Sequence, residues 1–149
     1  MTDLGTEPAT ADLAPHPPLT HYHHLGLTVT DLERSEAWYR EILGFERAFV
    51  EPHLGGTGYA VVMTRPGTSL FLGLDFHQGN DGEPFGEHRT GLDHISIGVD
   101  TREDLDVWVE HLDRRGVAHS AINDGAEPFP HATLIVRDPD NIQLELMWM

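Results

Sequence analysis

Two histidines and one glutamate stand where this chain could do chemistry. His24 opens the stretch His24-Leu25-Gly26-Leu27-Thr28-Val29, and His94 opens the similar His94-Ile95-Ser96-Ile97-Gly98-Val99, 70 residues further on. Glu145 lies in the last stretch, Gln143-Leu144-Glu145-Leu146-Met147-Trp148. Imidazole and carboxylate groups move protons near neutral pH and bind divalent ions. In all three stretches apolar residues recur at every second position, the mark of a strand with two unlike faces. His24, Gly26 and Thr28 share one such face, His94, Ser96 and Gly98 another, and Gln143, Glu145 and Met147 a third. A polar second face is often simply wet, as in many antiparallel sheets. Here the small residues beside each histidine leave room for a bound group.

The elements that position these residues come in two copies. Trp38 recurs as Trp108 at the same offset, and Gly44-Phe45 answers to Gly116-Val117. An internal repeat of this length means two copies of one supersecondary unit. In the first copy, Thr30-Asp31-Leu32-Glu33 reads as a capping box, followed by a helix that turns Ala37, Trp38, Ile42 and Leu43 inward and stops at Gly44. Strands are expected at 45–53, 58–65 and 69–76, with turns at Gly55-Gly56-Thr57-Gly58 and Pro66-Gly67, then a polar loop over 77–90. In the second copy a strand over 92–99 precedes a helix with Leu105, Trp108, Val109 and Leu112 on one stripe, ending at Gly116. Strands near 117–123, 131–137 and 141–148 follow, the last two joined by Asp138-Pro139-Asp140-Asn141. Each unit is strand, helix, three strands. A single domain is expected over 20–149, with units at about 21–76 and 91–149 and a flexible proline-rich extension over 1–19.

The bulk composition narrows the function. The chain has no cysteine, which excludes disulfides, thiolate metal sites and cysteine nucleophiles. Nine basic against twenty-five acidic residues give a net charge of −16. Such a surface repels phosphate backbones and anionic lipid, so no nucleic acid and no membrane partner is expected. No apolar run nears the ~20 residues of a membrane span, and the first residues lack the pattern of a secretory signal. A cytoplasmic location is the expectation. The glycines of 55–58 lack the Lys-Ser/Thr of a phosphate loop, Asn80-Asp81-Gly82-Glu83 lacks calcium-loop spacing, and no Gly-x-Ser-x-Gly is present. In His21-Tyr22-His23-His24, strand alternation sends His23 and His24 to opposite faces, so at most one of that pair serves a given pocket.

In this order and spacing the segments resemble the vicinal oxygen chelate superfamily, which includes glyoxalase I, extradiol dioxygenases, fosfomycin-resistance transferases and bleomycin-binding proteins. The resemblance runs from about residue 22 to 149. It rests on His24-Leu-Gly-Leu-Thr-Val-Thr-Asp-Leu-Glu, Trp38-Tyr-Arg-Glu-Ile-Leu-Gly-Phe45, Gly91-Leu-Asp-His94 and Asp138-Pro-Asp-Asn-Ile-Gln-Leu-Glu-Leu146. It implies an α+β fold in which two tandem βαβββ units form a U-shaped mixed sheet around a concave metal or ligand site. Carried over by residue, it implies metal ligation by His24, His94 and Glu145, with Gly73 where glyoxalase I often has a fourth, glutamate ligand. Such a set binds a divalent ion (Fe2+, Mn2+, Zn2+ or Ni2+) and leaves coordination open for two substrate oxygens.

His131 is a candidate acid/base, and Tyr59, Met63, Phe71 and Met147 are candidate pocket walls by strand phase. His111 is expected to face solvent, while His53, His77 and His88 fall at strand ends or in loops near the mouth. The leading expectation is a metal-dependent enzyme of dioxygenase, lyase, isomerase or thiol-transferase type acting on a small oxygen-bearing substrate. The alternative is a metal-independent protein that sequesters a drug or metabolite, as bleomycin-resistance proteins do. The charge of −16 favours a cationic ligand for such a protein. The family implies a homodimer, with His24 and Glu145 drawn from one chain or from two.

Overall fold

The computed structural model describes residues 17–149, so most of the extension expected over 1–19 lies outside the described residues. The first unit runs β1 (Leu25–Thr28), α1 (Leu32–Leu43), β2 (Glu46–Pro52), β3 (Gly58–Thr64) and β4 (Phe71–His77). The second runs β5 (Ile95–Gly98), α2 (Arg102–Arg115), β6 (Asn123–Gly125), β7 (His131–Arg137) and β8 (Gln143–Trp148). Each unit folds into a four-stranded mixed sheet, ordered β1-β4-β3-β2 and β5-β8-β7-β6. The first strand of each runs parallel to the last, and the other pairs are antiparallel. This is the α+β pair of βαβββ units expected from the repeat. Among the described residues no strand of one sheet pairs with a strand of the other.

Local chemistry sets the element ends. Asp31, not Thr30, caps α1, its side chain accepting from Arg34 N at 3.0 Å, and Gly44 closes the helix at φ 72°. The true capping box belongs to α2, between Thr101 and Asp104. The strand expected over 117–123 is reduced to one bridge, His119 to Val136, with β6 starting only at Asn123. Ser120 is the reason. Its hydroxyl accepts from Ile135 N at 2.9 Å, taking the place of a backbone carbonyl in the ladder.

One face of each sheet packs into a single core. Leu27, Val29, Met63, Leu72 and Leu74 of the first unit share it with Ile95, Leu134, Leu144 and Leu146 of the second, and Tyr39, Leu43, Leu105 and Leu112 come from the helices. Each such aliphatic side chain contributes roughly 1.5–3 kcal/mol by leaving water. The core therefore lies between the units, and the other face of each sheet stays open.

A polar seam orients the units. Asp138 and Asp140, on the turn between β7 and β8, are both buried. Asp140 accepts from the Thr30 backbone N at 2.9 Å, the Arg34 guanidinium at 2.8 Å, and the hydroxyls of Thr30 and Ser35. Asp138 Oδ2 accepts from the Tyr39 hydroxyl at 3.1 Å, while Oδ1 accepts from Asp140 N and Ile142 N. Burial pushes the Asp138 carboxyl above the usual carboxylate range. Burial, with the Asp138 charge second, pushes the Tyr39 hydroxyl well above its own. His111 does not face solvent. Its Nε2 donates to the Ile42 carbonyl at 2.9 Å and its ring meets Trp108 edge-on.

Candidate functional site

The open face of the second sheet brings His94 and Glu145 together. Ser96 and Glu145 are direct partners in the parallel β5–β8 register. That register lets the Ser96 hydroxyl donate to Glu145 Oε1 at 2.9 Å. His94 stands one residue before β5, and its Nε2 lies 4.0 Å from the same oxygen. Its Nδ1 is 2.6 Å from Asp93 Oδ1. A carboxylate at Nδ1 orients the ring and leaves Nε2 free, as around metal-bound histidines. Asp93 was not singled out in the sequence. Its signal was a carboxylate directly before a histidine at a strand start.

Two ligand atoms each about 2.0–2.2 Å from one ion lie about 3.3–3.6 Å apart in a tetrahedral shell. The 4.0 Å between His94 Nε2 and Glu145 Oε1 admits an ion with little side-chain movement. Met147 shares this face, its sulfur 3.6 Å from the Ser96 hydroxyl. His131 shares it too, but at the far end of β7. It pairs with Gly125, while Glu145 pairs with Ile135. The His131 Nδ1 donates to the Phe129 carbonyl at 2.9 Å.

His24 sits on the other sheet. It lines a cavity of about 510 Å³ with Gly26, Phe71, Gly73 and Asp75 on the open face of the first unit. That volume suits a small molecule. His23 lines the same cavity, its Nδ1 2.9 Å from His24 Nδ1 and its ring beside Phe71. The alternation argument that separated His23 from His24 fails because the strand begins only at Leu25. Phe71 lies on this open face. The structure instead puts Tyr59 and Met63 on the opposite face of β3, with Met63 fully buried in the core. The run Tyr59-Ala60-Val61-Val62-Met63 is apolar on both faces, so its sequence carries no phase.

Within one chain His24 is not gathered with His94 and Glu145. No residue of the second unit lines the His24 cavity, and the buried faces of both sheets feed one core. The first sheet holds a group of its own, His53, Asp75 and His77. His53 and His77 had been expected only near the mouth.

Comparison with known proteins follows the same architecture. The sequence profile of the Glyoxalase/Bleomycin resistance protein/Dioxygenase superfamily matches residues 21–146. A glyoxylase/bleomycin resistance protein/dioxygenase domain from Frankia sp. EAN1pec has a similar structure, with a TM-score of 0.75 and 38% identity over 87% of this chain and 92% of that one. Lactoylglutathione lyase from Agrobacterium tumefaciens shares the fold at a TM-score of 0.63, with 17% identity over 87% of this chain and 94% of that one. Catechol-2,3-dioxygenase of Bacillus subtilis (strain 168) is 27% identical over 93 residues, 62% of this chain. The match spans only 31% of that relative's length. Among the described residues no helix is long and apolar enough to cross a membrane.

Proposed function

This chain belongs to the Glyoxalase/Bleomycin resistance protein/Dioxygenase superfamily, and we propose that it is a divalent-metal-dependent enzyme of that superfamily acting on a small oxygen-bearing substrate. The observation that carries this reading is the His94–Glu145 pair, with Asp93 held at the far nitrogen of the imidazole. His94 and Glu145 supply two donors, and His24 supplies the third from a second copy of the chain. The open faces lie on either side of a common core, so a first-unit face meets a second-unit face most directly between two molecules. A bound divalent ion would supply Lewis-acid stabilisation of developing charge on substrate oxygens.

The protein's own groups do the rest. Asp93 fixes the His94 tautomer, and the Ser96 hydroxyl holds one Glu145 oxygen in place. Phe71 would wall the first-unit face and Met147 the second-unit face, and His131, at the far end of the second face, would move a proton. The charge of −16 steers cations inward. The test is metal content per chain after stripping and reloading with Fe2+, Mn2+, Zn2+ and Ni2+ in turn. One tight equivalent that disappears in Glu145→Ala supports the site. Absence of stoichiometric binding, or binding indifferent to Glu145→Ala, overturns it.

The separation of His24 from His94 and Glu145 within one chain favours a second reading, ligand sequestration without metal. A cationic ligand bound equally by native protein and Glu145→Ala would establish that reading.

A further inference from the structure

We propose that His53, Asp75 and His77 bind one divalent transition-metal ion, at a site separate from His94 and Glu145 and independent of the reading above. One ligand atom from each of the three can be chosen so that all lie within 4.8 Å of one another. The sheet builds this group across three adjacent strands. His53 follows β2, Gly58 opens β3 and His77 closes β4, with Gly58 paired to His77 and the His53 backbone N donating to the Gly58 carbonyl. Glycine in the middle lets the two imidazoles meet above the strand. Their ring centroids are 4.5 Å apart, and a Cβ at Gly58 would stand 3.1 Å from His53 Nδ1.

Asp75 shares the open face with His77, two residues earlier on β4. Its Oδ1 accepts from His53 Nε2 at 2.8 Å. Its other oxygen lies over Gly26 and Gly73, in space that side chains at those positions would fill. The His53–Asp75 contact alone does not account for the group. His53 Nδ1 is buried and has no hydrogen-bond partner among the described residues. A buried ring nitrogen in that state is a donor still free to bind, and a metal ion would take it.

Two imidazoles with one carboxylate select Zn2+, Ni2+ or Cu2+ over Mg2+ and Ca2+, which favour all-oxygen shells. Three protein donors leave a position for water or for a molecule in the adjoining His24 cavity. The site thus sits at the rim of that cavity, with His53 and Asp75 common to both.

The full chain, stripped with a chelator and equilibrated with Zn2+ alone, tests this by metal per chain. Native protein should hold two equivalents, and H94A/E145Q, which lacks the other site, should hold one. Adding H53Q or H77Q to that background should remove it. Zinc in H94A/E145Q that persists after both further changes overturns the site, as does an H94A/E145Q chain that binds none. One equivalent in native protein that survives H94A/E145Q but not H77Q supports this site and sinks the function proposed above. If the added substitutions fail to fold, Co2+ loading of H94A/E145Q gives the answer from an unaltered site. Two strongly shifted histidine rings support it, and none overturns it.

Discussion

Tyr39 in the first unit donates its hydroxyl to Asp138 in the second, at 3.1 Å, across 99 positions of chain. Both groups are buried, and the bond ties α1 to the turn that leads into the strand carrying Glu145. The orientation of the two open faces therefore depends on a seam remote from either.

That seam makes stability depend on pH. The Asp138 carboxyl is raised by burial, so its contribution is fully present below the unfolded value of about 3.9 and is lost as pH rises through the folded value. Asp138→Asn should remove this fall, and urea midpoints over a pH series should show the two curves diverging there. Tyr39 is raised in the same sense. The unfolded chain therefore ionises first near pH 10, and stability should drop above about that value. Tyr39→Phe should abolish the alkaline drop while losing about 1 kcal/mol at neutral pH. A neutral-pH loss with an unchanged alkaline limb would contradict the assignment.

Two glycines on open faces should respond oppositely to alanine. At Gly58 a Cβ would collide with the Phe76 backbone carbonyl, which cannot move without parting β3 from β4. Gly58→Ala should cost about 2 kcal/mol or more. At Gly98 nothing lies within 4 Å of the added atom, so Gly98→Ala should stay within about 0.5 kcal/mol. Equal losses in denaturant titrations would show that the β3–β4 approach is not what requires Gly58.

Asp93 should tune the ion without touching it. Asp93→Asn weakens the acceptor at His94 Nδ1 and should lower metal affinity about 10–100-fold, with far-UV circular dichroism unchanged. Competition against a chromophoric chelator measures this. Unaltered affinity would remove Asp93 from the site.

Sharing of the site between two copies has a mixing signature. His24→Ala and Glu145→Ala homodimers should each lack the site. Mixed subunits should regain about a quarter of the native occupancy of that site, because half the dimers are hybrid and each hybrid holds one intact set. No recovery on mixing, with hybrids confirmed by native mass spectrometry, would place all three ligands in one chain or discard the set.

Much of the architecture was legible before any coordinates. Alternation around His24 and His94 sets strand faces wherever one side is apolar and the other is not. Gly44 and Gly116 ended the helices where left-handed backbone was needed. Alternation was silent in β3, where both faces are apolar, and Met63 went to the core. It misled at His23, which precedes the strand. Asp138-Pro139-Asp140-Asn141 read only as a turn between two strands, because a short polar run looks the same whether water or another unit's hydroxyls satisfy it.

The sequence by itself determined the two βαβββ units, their helix stops and the histidine before each first strand. These follow from periodicity and backbone preference within a few residues. Only the tertiary structure decided what meets what. It set His94 beside Glu145, put His24 in a separate cavity on the other sheet, and closed His53, Asp75 and His77 over a glycine. Those relations depend on strand order and on how two units pack, which are contacts between residues far apart in the chain and leave no local pattern along it.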